Sequence, residues 1–359
     1  MQISDEIESR GTGTLMVHLL GRCNLICQHC YMEGAPGRRE RLAVKHVLEA
    51  IKACPALGIG TLYLTGGEPL LYPDLKQVVS EAIAVPGLSV TLSTNATMLT
   101  PRRVDFFAAR KVRLNVSVDG ESDFHDAFRR HQGAFAKTEA AVKAAVAAGI
   151  KVTIVTTISR ANLASLPRLV ERAIQWGVET FRVQPLLRLG RGATLADQRL
   201  TTSEMDQLIL QLSDLSNQYQ AVLRCSIIGV SRRLLLAHPC AAYVCNGAGC
   251  HRRVAKEIKK IVIREDGTIL PEATNLNGRF AIGRLGDAPI LELIRKYFDD
   301  GYERFDQLCR TAYQEVLPTW SAAIVPWDQI IAERSHEWLP NIAGPADSDR
   351  SGNGPILKS

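Results

Sequence analysis

The chain is predicted to be an α/β protein, a partial (β/α)6 barrel followed by a smaller cysteine-containing extension. Three observations predict it. Strand-sized apolar runs alternate with helical periodicity six times between residues 14 and 216, which implies a parallel sheet with right-handed crossovers. Six units fall short of the eight of a closed barrel, so the barrel is open. The rhythm breaks near Ala221, and five of the nine cysteines lie beyond that point.

Taken in order, residues 14–20 (Thr-Leu-Met-Val-His-Leu-Leu) read as a buried strand that delivers a cysteine-rich loop. Leu42, Val44, Val47, Leu48 and Ile51 recur at helical spacing. A strand over 61–65 runs into Gly66-Gly67-Glu68-Pro69, and a helix over 73–85 begins at a proline, where proline is tolerated. Further strands are expected at 89–94, 112–119, 152–158 and 180–186, with helices at 101–110, 135–148, 163–176 and 202–216. Gly149 and Gly177 stand where two of these helices stop. In βα barrels the loops after the strands carry the active site, and both the cysteine loop and Gly66–Pro69 fall on that face. Past Ala221, residues 260–270 read as a hairpin turning at Asp266-Gly267, and the segments around Trp320 and Trp327 as a short helical end. The expected division is a core over 1–220, an extension over 221–343 and a disordered tail over 344–359, rich in Gly, Pro and Ser.

Of the 359 residues 46% are hydrophobic and 22% charged, the composition of a soluble globular protein with ample core. No apolar run reaches membrane-spanning length. The net charge of +6 is mild, and no basic block interleaved with aromatics argues for nucleic acid. An odd cysteine count and the lack of a secretory signal point to a reducing cytoplasm.

Cys23, Cys27 and Cys30 lie in a C-x3-C-x2-C spacing, with Tyr31 following. Four thiolates close a cubic iron–sulfur cluster, whereas three leave its fourth iron open, and an open position is where a ligand binds and chemistry happens. Buried core thiols are a poor alternative for three cysteines within eight residues. A zinc site with His29 as fourth ligand is the better rival, although knuckle-type sites draw ligands as two separated pairs.

The spacing resembles the signature of the radical S-adenosylmethionine (SAM) enzymes, and Gly66-Gly67-Glu68-Pro69 resembles their second motif. The resemblance implies a 4Fe–4S cluster on the three cysteines, whose free iron chelates SAM, and reductive cleavage of SAM to a radical that takes hydrogen from substrate. It implies that Gly66, Gly67 and Glu68 hold the amino group of SAM. Residues 93–97, with Asn95 at their centre, resemble the polar segment lining the SAM and substrate cavity. Asn115 to Gly120, then His125-Asp126 and Arg129, resemble the pattern of peptide-modifying members; Ser117 would contact SAM and Asp119 would point toward substrate. Arg188 to Gly192 resembles the family's Gly-Arg turn.

The extension resembles the SPASM or twitch regions that bind auxiliary clusters. Cys240, Cys245, Cys250 and Cys309 would supply one auxiliary four-thiolate cluster, with a zinc site or buried thiols as alternatives; Glu272 stands where the family has cysteine. Cys225, at the end of a short strand expected over 221–224 and facing the barrel mouth, is a candidate hydrogen donor to a substrate radical, a cluster ligand or an inert core thiol. The expected function is a radical SAM oxidoreductase modifying a ribosomally made peptide by crosslink, epimerisation or oxidation. An external electron donor of the flavodoxin or ferredoxin type and a separate leader-peptide-binding protein are the implied partners. The alternatives are a small-molecule substrate such as a tetrapyrrole, and a zinc scaffold.

Overall fold

The computed structural model describes residues 13–243 and 260–337. Its core runs β1 (Gly13–His18), α1 (Val44–Ala53), β2 (Ile59–Thr65), α2 (Leu75–Ile83), β3 (Ser89–Thr94), α3 (Pro101–Ala109), β4 (Arg113–Ser117), α4 (Ser122–Arg129), α5 (Ala134–Ala147), β5 (Val152–Ile158), α6 (Leu166–Gln175), β6 (Thr180–Pro185) and α7 (Thr202–Tyr219). The six expected strands are present and all pair in parallel, in sequence order. Helix α7 opens on a capping box, in which the Thr201 hydroxyl takes the Glu204 amide and Glu204 reaches back to Thr201.

The remainder comprises β7 (Arg224–Ile227), β8 (Val230–Ser231), α8 (Arg232–Ala237), β9 (Lys260–Ile263), β10 (Thr268–Pro271), β11 (Gly283–Arg284), α9 (Ile290–Asp300), α10 (Tyr302–Val316), β12 (Ile324–Val325) and α11 (Trp327–Glu337). Two features depart from expectation. β7 adds a seventh parallel strand beside β6, and β9 pairs in parallel with β1, so ten strands in the order β11-β10-β9-β1-β2-β3-β4-β5-β6-β7 form one sheet. The sheet therefore runs on across the expected 220/221 boundary. The hairpin at Asp266-Gly267 is present as β9–β10. The tail over 344–359 lies outside the described residues.

Alternation along the strands separates two faces. Leu15, Val17, Leu62, Leu64, Leu92, Leu114, Val116, Ile154, Phe181 and Val183 are buried against the helices. The intervening residues face the lumen and are half-buried, as in β5, where Thr153, Val155 and Thr157 alternate with buried neighbours. Register carries one such row from Ser117 through Val155 to Arg182 and Ser226. The outer face is hydrocarbon and the inner face is polar, so the interior of the half-barrel is a wet, functionalised cavity.

Candidate active site

The cysteine loop leaves β1 at the C-terminal mouth of the half-barrel. Cys23, Cys27 and Leu25 form a small buried group with Cys30 packed against it, separate from the main core. All three thiols are free. Each sulfur faces an N–H donor: Leu25 N at 3.4 Å and Asn95 Nδ2 at 3.9 Å from Cys23, Arg129 Nη1 at 3.9 Å from Cys27, and Gly34 N at 3.3 Å from Cys30. Metal-bound thiolates take such hydrogen bonds. Burial pushes the Cys23 thiol up to about 12 and the Cys27 thiol to about 11. Loading a metal here therefore releases protons from Cys23 and Cys27. Among the described residues no three His, Cys, Asp or Glu side chains converge on a single ion-sized point.

His29 is turned away from the zinc-ligand role considered for it. Its ring stacks on Phe128 with centroids 4.2 Å apart, and its Nε2 lies 3.6 Å from Asp119 Oδ2. Burial holds the imidazole down to about 4, so it is neutral at pH 7.

The glycine pair presses on the loop from β2. A Cβ on Gly66 would meet Leu20 O at 2.6 Å, and one on Gly67 would meet Arg22 O at 2.1 Å. The contact is cemented by Gly67 N donating to Leu20 O at 2.7 Å and Glu68 N to Arg22 O at 2.9 Å. From β6 the other wall closes similarly. Gly190 approaches the carbonyl of Tyr31, and Arg191 donates to Cys27 O at 2.7 Å and Gly34 O at 2.9 Å. The Gly-Arg turn after the sixth strand is thus a clamp on the cysteine loop.

The structure revises several residue roles. The Glu68 carboxylate is fully buried and accepts from Leu70 N, Thr94 Oγ1 and Asn95 N at 2.7–3.0 Å; burial pushes its carboxyl up against those three bonds. Three of the acceptor sites of its carboxylate are thus taken by the protein. Asn95 stands beside Cys23, donating to Asn24 Oδ1 at 3.0 Å. Ser117 is half-buried on the lumen side of β4.

Asp119 does not point toward a substrate. It is fully buried, accepts from Thr157 N at 2.9 Å and lies 2.7 Å from Arg129 Nη2. Burial alone would push its carboxyl up; the Arg129 guanidinium and His29 reverse this and hold it below the usual range. Cys225 does not face the mouth. Its strand begins at Arg224 instead of ending there, its register partner is Phe181, and it sits in the main core, where burial pushes its thiol to about 11. The inert core thiol is the alternative that this geometry fits. Cys309 is buried on α10, Cys240 is engaged in a disulfide, and Cys245 and Cys250 lie outside the described residues.

One functional contact was missed by sequence reasoning. Glu265, just before the β9–β10 turn, is buried, with Oε1 3.0 Å from Arg38 Nη2 and Oε2 3.7 Å from His18 Nδ1. Arg38 in turn donates to Met32 O beside the triad. A charge next to an Asp-Gly turn reads as solvated, and nothing local reveals that β9 will dock on β1. Burial pushes the Glu265 carboxyl up, but hydrogen bonding to His18 and the neighbouring cations prevail and hold it at about 2. A depressed carboxyl stabilises the fold above its ordinary range and loses that contribution as pH falls from about 4.5 toward 2. Denaturant midpoints at pH 6, 4 and 3 should therefore fall more steeply for the native chain than for Glu265→Gln; parallel profiles would remove this tie from the acid response.

A model of the radical SAM superfamily matches residues 17–173. This part of the chain is a radical SAM domain. An AdoMet-dependent heme synthase of Nitratidesulfovibrio vulgaris is 31% identical over 193 residues, 52% of each chain. A PqqA peptide cyclase of Ruegeria pomeroyi is 32% identical over 172 residues, 47% of this chain and 46% of that one. The chain spans about half the length of the curated relatives it matches. The fold is that of Streptococcus suis SuiB in its S-adenosylmethionine complex, with a TM-score of 0.64 over 84% of this chain and 70% of that one, at 18% identity. A domain of this family implies a 4Fe–4S cluster and SAM, and the donor-lined cysteine triad suits such a cluster. Among the described residues no helix is long and apolar enough to cross a membrane.

Proposed function

We propose that this protein is a radical SAM enzyme that abstracts hydrogen from a carboxylate-bearing substrate held in the half-barrel. The observation that carries the radical reading is the convergence of an N–H donor on each of the sulfurs of Cys23, Cys27 and Cys30 at the mouth of the lumen. When bound, the cluster and SAM supply the electron and the radical. The chain's own residues supply placement. Asn95 and the backbone of Gly66 to Glu68 flank the place of SAM beside Cys23. Ser117 lines the lumen below it. Confinement between glycine contacts on one side and the Arg191 clamp on the other keeps the loop in one geometry, which is what orientation-controlled chemistry requires.

Arg182 favours the substrate class. It lies on the lumen face of β6, level with Ser117, and has no ion-pair partner among the described residues. No lumen-facing position of β1 to β7 is acidic. A free guanidinium in a neutral polar cavity selects carboxylates. A tetrapyrrole precursor carries them as a class, and the similarity to heme synthases supports that reading. A ribosomally made peptide is the second reading, supported by the similarity to a peptide cyclase and requiring an acidic residue or terminus near the reacting carbon. An external electron donor and a cytoplasmic location belong to the same proposal, as does an auxiliary cluster on the cysteines of the extension, Cys245, Cys250 and Cys309, without the disulfide-bonded Cys240.

Anaerobic incubation of the reduced, iron-loaded enzyme with SAM and either a tetrapyrrole carboxylate or a candidate peptide, followed by mass spectrometry, tests it. A mass change in the tetrapyrrole that weakens at least tenfold in Arg182→Gln is expected. Turnover of an uncharged peptide, unaffected by Arg182→Gln, would overturn the carboxylate reading.

A further inference from the structure

Among the described residues, Arg129 is the one guanidinium in hydrogen-bond range of a triad sulfur, and it is buried. It is 5% exposed on α4, its Nη1 is 3.9 Å from Cys27 Sγ, and its Nε has no partner. Its Nη2 is 2.7 Å from Asp119 Oδ2, and Asp119 is itself 0% exposed and tied to Thr157 N. His29, packed on Phe128, faces the same carboxylate, with Nε2 3.6 Å from Asp119 Oδ2. A guanidinium does not lose its proton in a protein, so this is a fixed charge.

We propose that Arg129, held in place by Asp119, is a positioning residue that raises the reduction potential of the cluster carried by Cys23, Cys27 and Cys30. The inference rests on the radical SAM reading above. Reduction adds one negative charge to the cluster, and cluster potentials respond to nearby charge, hydrogen bonds to sulfur and exclusion of solvent. A buried cation that donates toward Cys27 favours the reduced state on the first two counts, and low local dielectric enlarges both. Asp119 acts in the opposite sense. It fixes the guanidinium against Cys27 and offsets part of its field. The pair thus has a signature that packing lacks, because its two members shift the potential in opposite directions.

The test is a redox titration of the reconstituted cluster without SAM, followed by electron paramagnetic resonance, alongside iron content. Arg129→Gln should favour the oxidised cluster at least tenfold, a displacement of about 59 mV to more negative potential for one electron. Arg129→Lys keeps the charge and should recover most of the native midpoint, and Asp119→Asn should move it positive. Arg129→Gln that binds full iron at an unchanged midpoint overturns the proposal. So does loss of iron from both Arg129→Gln and Arg129→Lys, which assigns the residue to holding the loop. A native chain that binds no cluster would instead sink the radical SAM reading.

Discussion

Replacing Cys23, Cys27 and Cys30 together by alanine is expected to remove about four irons per chain and bring SAM cleavage to background while leaving the fold intact. The three thiols pack in a small group of their own, apart from the main core, so truncating them removes little of the hydrocarbon that holds the barrel. What they hold instead is the metal, and a cluster of this type brings about four irons to each native chain. Iron and sulfide assays with chromatographic detection of cleaved SAM measure the loss, and far-ultraviolet circular dichroism checks the fold. Cleavage that survives in the triple variant would remove the cysteine triad from the chemistry altogether.

The second large effect is expected at Gly67. Its missing Cβ leaves room for backbone: Arg22 O at 2.1 Å, Arg22 C at 2.5 Å and Gly21 O at 2.7 Å from where a methyl group would stand. None of these is the end of a flexible side chain, so Gly67→Ala must move either the strand end or the cysteine loop. A cost of at least about 3 kcal/mol is expected, above the usual range for a single substitution. The loop is the softer of the two, and the displaced residues adjoin Cys23, so iron binding should fail before the fold does. Gly37, where a Cβ meets nothing within 4 Å, provides the matched control, expected to change stability by less than about 0.5 kcal/mol. Denaturant midpoints and iron content of the two variants make the comparison. Native iron loading in Gly67→Ala would show that the glycine contact does not shape the loop.

Much of this was legible in the sequence because it is written locally. The strand-helix alternation yields six parallel strands in order, and the cysteine spacing declares a ligand set that few other chemistries use. Other features were hidden for physical reasons. Helix α4 was not anticipated because its buried face is made of His125, Asp126, Phe128 and Arg129, and a buried polar face leaves no hydrophobic period to detect. The same helix carries the partner of Asp119, so an aspartate at a strand end read as solvent- or substrate-facing when it is the anchor of an ion pair. Cys225 illustrates register. Its strand starts three residues later than residues 221–224 suggest, and one step along a strand moves a side chain to the other face. The Glu265 tie depends on a pairing between β9 and β1 that no local pattern encodes.

That last pairing has a consequence for how the protein is made. β1 emerges from the ribosome first among the strands, yet one of its two edges is covered only by β9. The roughly 240 residues between them take about 10–50 s to synthesise at ordinary elongation rates. Throughout that interval the strand leading into the three thiols has an open edge, and open edges are templates for pairing with the wrong chain. A truncated or stalled chain lacking β9 would therefore be both sticky and short of the Glu265 tie to Arg38. β9 acts as a completion check, closing the open edge of β1 once the strands between them have been made.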